Sequence, residues 1–271
     1  MYKIILFVGF SIVFWQCNSP SPSNNNSQNL SIFPIEANKQ KNDVIEYYNE
    51  YKDLDTTSIS QGAVNNGKLI NGVIVPFYGE NFEYFDSKSY LAGRAFLNYQ
   101  VLKSVLQTYK ELQKRLPNRK FYIMECSHQH GGKLHPHITH QNGLSIDFMV
   151  PKTKNNEAFY GLDTLGINHY SLEFNTKGEY QKDPSISIDF ETMAKHILTL
   201  QQHLLQNKLK IAKVIFKTEL KEALFATKSG EILQKSGIYF TKSLTPLINS
   251  LHDDHYHIDF EFIKYVGSGF N

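Results

Sequence analysis

HDDHYHIDF, residues 252–260, is the stretch from which the rest of the chain can be read. Together with the two residues after it, it suits a strand over His255–Phe262. Side chains two apart on a strand point to the same face. His255 and His257 therefore project side by side, with Tyr256 on the opposite face. Two neighbouring imidazoles that must avoid both being protonated do well beside a cation. The competing reading is a polar strand with solvated histidines.

A second stretch, HPHITHQNGLSIDFM at residues 135–149, carries a complementary pattern. Gln141-Asn142-Gly143 forms a turn, and Leu144–Val150 reads as a strand stopped by Pro151. His140 precedes the turn and Asp147 lies on the strand that leaves it, so a glycine bend can bring imidazole and carboxylate to one point. Taken alone, a single histidine is more often a hydrogen-bonded structural residue than a ligand. Together the two stretches offer two histidines and an aspartate. That is a three-ligand set for Zn²⁺ with a fourth position open, the pattern of a catalytic zinc. The histidine of the 255/257 pair left over is then free to move protons. The wider distribution agrees: of 11 histidines, five fall between His128 and His140 and three between His252 and His257. Imidazole is the commonest metal ligand and titrates near neutrality.

Outward from these stretches, strands and helices alternate. Leu69–Val75 and Phe121–Cys126 read as strands. Residues 90–115 repeat apolar positions at helical spacing up to Pro117. Residues 152–185 are polar and turn-rich, the composition of an insertion or flexible loop. Asp189 is a good N-cap for a helix running to about Gln206. Ala212–Phe216 reads as a strand and Glu219–Ala226 as a short helix. No internal repeat is present. The expected class is α+β, with helices packed on a mostly antiparallel sheet.

The 271 residues suit one large domain or two small ones. Hydrophobic residues make up 41% and charged residues 20%, ordinary for a globular chain. A net charge of +2, without a dense basic run, excludes the electrostatic footprint of a nucleic-acid binder. Residues 1–17 read as a signal peptide, with an apolar run from Ile4 to Trp15 that is short for a membrane span. Cys17 stands where a bacterial lipoprotein carries its lipidated cysteine, and the Ser/Asn/Pro-rich Asn18–Asn29 reads as a tether. Phe14-Trp15-Gln16 departs from the small residue usual before that cysteine, so an ordinary signal peptide or uncleaved anchor competes with lipidation. Either takes the chain out of the cytoplasm. With Cys17 modified or removed, Cys126 has no disulfide partner and reads as a small buried side chain. Residues 18–57 then form a tether and N-terminal extension, with a short helix at Val44–Lys52, and 58–271 the domain that carries the zinc motifs.

The spacing HxxHQxGLxxD at 137–147, followed by HxxHxH at 252–257, resembles the penicillin-insensitive murein endopeptidases. These belong to the wider group that holds the lysostaphin-like and D-Ala-D-Ala metallopeptidases. GG at 131–132, NGKLINGVIVP at 66–76, IDF at 188–190 and VIF at 214–216 fit the same family, and the similarity covers roughly residues 58–262. The resemblance implies that His140, Asp147 and His257 bind the zinc. His137, His252 and His255 are its additional site histidines. It also implies hydrolysis of amide bonds in peptidoglycan cross-links, and it allows a homodimer. Insensitivity to penicillin would follow, since a β-lactam acylates a serine and water is the nucleophile here. His255 is the candidate general base, while His252 and His137 would orient ligands or stabilise the oxyanion. Asp254 or Asp259 could hold a histidine tautomer or simply lie at the surface. His128 and His130 could take a second metal, against a solvated loop. Two rival readings keep the cell-envelope location, facing the periplasm on a lipid anchor. One is a zinc D,D-carboxypeptidase or dipeptidase trimming stem peptides. The other is a non-catalytic peptidoglycan-binding lipoprotein.

Overall fold

The computed structural model describes residues 32–53 and 57–264. In chain order, helix α1 (Ile32–Tyr51) leads to the hairpin of β1 (Ile59–Ala63) and β2 (Asn66–Ile70). Then come β3 (Val73–Ile74), β4 (Phe82–Tyr84), α2 (Ser87–Leu91), β5 (Phe96–Leu97), α3 (Tyr99–Arg115), β6 (Phe121–Ile123) and β7 (Ser145–Met149). The middle segment holds β8 (Lys152–Lys154), β9 (Glu157–Phe159), a 3-10 helix (Gly166–Ser171), β10 (Glu179–Tyr180) and β11 (Asp183–Ile188). The chain continues through α4 (Phe190–Gln206), β12 (Leu209–Ile215), α5 (Lys221–Phe225), α6 (Lys228–Lys235), α7 (Pro246–Ser250) and β13 (His255–Phe262).

The class is α+β. Its central sheet has the order β12-β13-β7-β6-β4, antiparallel except for the parallel β4/β6 pair. Alternation along β7 and β13 divides this sheet into two faces. Ile146, Phe148, Tyr256, Ile258 and Phe260 point one way and are buried. His196 of α4 closes that side, lying against Phe148, Tyr256, Tyr109 of α3 and Phe121. Ser145, Asp147, His255, His257 and Asp259 occupy the other face, and they are buried too. Loops 124–143 and 160–175 cover them, so the polar face of the sheet is an interior.

Residues 90–115 do not form one helix. The left-handed Gly93 (φ 76°) ends the short α2, β5 intervenes, and Asn98 caps α3 by accepting the Gln100 N–H at 3.0 Å. Segment 152–185, expected to be an irregular insertion, is folded instead. It contributes β8, β9, β10 and the start of β11 to a second sheet, β10-β11-β8-β9, with the 3-10 helix between β9 and β10. Its polar composition misleads because short hairpins need little apolar surface, and β8 completes its pairing with Ile186–Ile188 just beyond the segment. The helix expected at Val44–Lys52 starts twelve residues earlier, at Ile32. It packs onto the domain through Val44, Tyr47 against Tyr90, and Tyr51 against Phe96. The proposed signal peptide and Cys17 lie outside the described residues. Among those described, no helix is long and apolar enough to cross a membrane.

Candidate metal centre

Two adjacent strands and one loop make the site. Asp147 on β7 and His257 on β13 are directly opposite each other in the antiparallel register. His257 Nδ1 lies 2.8 Å from Asp147 Oδ1. The loop before β7 delivers the other two imidazoles. His140 Nε2 is 3.3 Å from Asp147 Oδ1, and His137 Nδ1 is 3.6 Å from Asp147 Oδ2. The ring of His140 lies 4.8 Å from those of both His137 and His257.

The loop's path is set by close backbone approaches. Gly131 (φ 68°) passes so near β2 that a Cβ there would meet the Gln141 carbonyl oxygen at 2.2 Å and the Leu69 nitrogen at 2.6 Å. Gly143 (φ 75°) lies against the Asn98 backbone in the same way, its own N–H donating to Ser127 Oγ at 2.9 Å. Between these two points His140 itself is left-handed, with φ 67°. That conformation is uncommon for a residue with a Cβ and clusters at ligand sites.

His137, His140 and Asp147 each offer a donor atom, all within 4.8 Å of one another. His137, expected to stand behind the ligands, stands among them. His257 joins the group through Asp147. Neither ring nitrogen of the fully buried His140 makes a hydrogen bond, and neither does Asp147 Oδ2. Buried polar atoms are rarely left so. Three imidazoles around a carboxylate, with these atoms orphaned, fit a Zn²⁺-type cation. Protonation favours it as well. Burial, only partly opposed by Asp147, pushes His137 down to about 3, so its imidazole is neutral. Burial alone would raise Asp147, yet His140 and His257 hold its carboxyl well below the usual range. His257 is pulled down by burial but lifted further by Asp259 and Asp147, to about 9. A proton there occupies the place a cation would take.

Asp254 and Asp259, for which a surface position was an open alternative, are both buried. Asp259 Oδ1 is 2.6 Å from His257 Nε2 and accepts from Ser145 Oγ at 2.6 Å, while Oδ2 pairs with Lys213 Nζ at 2.8 Å. Asp254 Oδ1 is 2.5 Å from His255 Nδ1. Burial opposes charge on His255, but Asp254 overcomes it and the pKa is raised. His252 packs its ring 4.7 Å from that of His255 and donates from Nδ1 to the Ile248 carbonyl at 2.7 Å. Burial and then His255 push it down to about 3. His128 turns away to the Gly93 carbonyl, 3.1 Å from its Nδ1. Cys126 is buried and free.

Several groups near the site carried no sequence signal. Glu125 accepts from Ser89 Oγ at 2.7 Å and lies 2.9 Å from Arg94 Nε. Burial lifts its carboxyl to about 7 despite both partners. Tyr170, from the middle segment, stands edge-on to His255 with ring centroids 5.2 Å apart. Asp259, by contrast, was among the expected residues, and it continues the i, i+2 row of His255 and His257. No protein-family model matches the chain, and no curated protein matches it.

Proposed function

We propose that this chain is a zinc-dependent endopeptidase that hydrolyses peptide cross-links of peptidoglycan outside the cytoplasm. The observation that carries the reading is the convergence of His137, His140 and His257 on the buried Asp147, with both His140 nitrogens and Asp147 Oδ2 lacking hydrogen bonds. When bound, zinc supplies Lewis acidity, activating water and polarising a carbonyl. The chain's own residues do the rest. His140, Asp147 and His257 hold the ion, with His137 beside them. Asp259 accepts a hydrogen bond from His257 Nε2, which leaves Nδ1 on the Asp147 side as the nitrogen that would bind, the outer carboxylate common behind metal-bound histidines. His255 is the proton carrier: Asp254 engages its Nδ1, leaving Nε2 to take a proton from water and return it to the departing amine. His252 backs the His255 ring. The spacing match to murein endopeptidases supports the substrate class. The apolar start and Cys17 support export with lipid anchoring.

The test uses purified chain from residue 18 onward with cross-linked muropeptide dimers, with and without chelator, the products read by mass. Dimers should become monomers, chelation should stop this, and zinc should restore it. His140→Ala should lose metal and activity together. His255→Ala should keep metal and lose ~10²–10⁴-fold in turnover. Release of a single terminal D-alanine would make the enzyme a carboxypeptidase. No cleavage by folded, zinc-loaded protein would remove the peptidase reading.

A further inference from the structure

Resting on that reading, we infer that Tyr170 is a catalytic residue: its hydroxyl donates a hydrogen bond to the scissile carbonyl oxygen as negative charge builds there. Tyr170 belongs to the 3-10 helix Gly166–Ser171, part of the cover over the polar face of the central sheet. The helix is held firmly. The neighbouring His169 is fully buried, with its ring nitrogens 3.0 Å from the Asp254 carbonyl and 3.2 Å from the Leu162 carbonyl. The Tyr170 ring is wedged edge-on between His255, at 5.2 Å, and Phe85, at 5.8 Å.

The hydroxyl itself is enclosed and makes no hydrogen bond among the described residues. Other buried tyrosines nearby are satisfied: Tyr84 donates to the Arg94 carbonyl at 2.9 Å and Tyr90 to the Val75 carbonyl at 2.7 Å. Tyr109 also has an orphaned hydroxyl, but it lies on the helix side among the rings of Phe82 and Phe121. The Tyr170 ring instead packs against His255 on the polar side of the sheet, where the charges of Asp147, Glu125 and Asp254 act on its hydroxyl. Burial, followed by those carboxylates, raises its pKa well above the usual value, so at neutral pH it is a donor with its proton in place. An orphaned donor whose ring packs against the proton carrier is preorganised for an oxyanion. Water adds to the amide carbon, the carbonyl oxygen takes the electron pair, and the proton from water goes to His255. The C–N bond then breaks and that proton leaves with the amine. Tyr170 only donates its hydrogen bond.

Tyr170→Phe keeps the ring and removes the donor. Zinc content should be unchanged, and melting should be no lower than wild type, because an unsatisfied hydroxyl has been deleted. Turnover on muropeptide dimers should fall ~10²–10³-fold with KM nearly constant. By calorimetry, a cross-link peptide with a phosphinate in place of the scissile amide, a tetrahedral anion, should bind ~10²-fold more weakly. A stable amide isostere should bind as before. Wild-type turnover and phosphinate affinity in Tyr170→Phe would overturn the inference. So would an equal loss of affinity for both probes, which would mean a packing role. These results in a protein whose wild type cleaves dimers sink the Tyr170 assignment alone. A zinc-loaded wild type that cleaves nothing sinks the peptidase reading and the assignment with it.

Discussion

Asp259→Ala removes a group that would touch no metal yet sets the nitrogen His257 presents. In the native site the Asp259 carboxylate lies 2.6 Å from His257 Nε2, leaving Nδ1 facing Asp147 at 2.8 Å. Loss of such an outer carboxylate costs ~10–100-fold in metal affinity, or ~1.4–2.7 kcal/mol. A second effect runs the other way. Burial lowers His257, but Asp259 and Asp147 raise it to about 9, so below that pH a cation must displace a proton. At pH 7 this handicaps the wild type by ~100-fold. With one carboxylate gone the variant holds that proton less firmly and suffers less. The wild-type advantage should therefore be largest at pH 9.5 and shrink towards pH 7. Competitive zinc titration against a chromophoric chelator at pH 7, 8 and 9.5 measures it. Equal affinities at pH 9.5, or a ratio independent of pH, would refute the reasoning. In metal-free protein the trend reverses. A raised folded pKa contributes stability that is full below the unfolded value of ~6.5 and lost as pH rises through about 9. Burial would raise Asp259, but His257 holds it below the usual carboxylate range, so its contribution fades as pH falls, and the melting gap between wild type and Asp259→Ala should be widest between pH ~4 and ~6.5.

Glu125 should impose its own pH dependence on chelator-treated protein. Its folded pKa of about 7 lies above the ordinary value, so it favours the folded state below pH ~4.3 and that contribution is lost as pH rises through about 7. Glu125→Gln lacks this titration, so denaturant melts should move in its favour by up to ~3 kcal/mol between pH 4 and 8; parallel curves would contradict this. Gly131→Ala places a Cβ 2.2 Å from the Gln141 oxygen at a left-handed φ. It should destabilise by ~1–3 kcal/mol in denaturant melts and weaken zinc binding, since the same loop carries His137 and His140. Asp189→Ala removes the cap of α4, in which Oδ1 accepts from Thr192 N at 2.9 Å, and strips the buried Arg119 of its ion pair. A loss of ~2–4 kcal/mol in chemical denaturation is expected, with zinc affinity unchanged.

Most of the framework was legible along the chain. The alternation HYHIDFEF predicts β13 to the residue, because a buried sheet face imposes a period of two whatever lies above it. Asp189 is legible as a cap because N-capping is a local interaction between a side chain and the next backbone turn. His140, Asp147 and His257 were expected to converge from residue type and spacing, and the loop and the two strands bring them together. Amphipathic periodicity fails where a local break outweighs it, as at Gly93 between α2 and α3.

What the chain by itself determined was the alternation of apolar and polar positions, the turn at Gly143, and the supply of imidazoles and carboxylates at two distant places. Only the tertiary structure decided that β13 lies beside β7 in the register that sets His257 against Asp147. It also decided that loops bury the polar face so that Asp254 and Asp259 engage histidines, and that a tyrosine from the middle segment reaches His255. The His257–Asp147 and His255–Tyr170 contacts join residues 110 and 85 positions apart in sequence. Local propensity carries no information about them, because they arise when separate apolar faces are buried together and the polar groups between them must find partners or a cation.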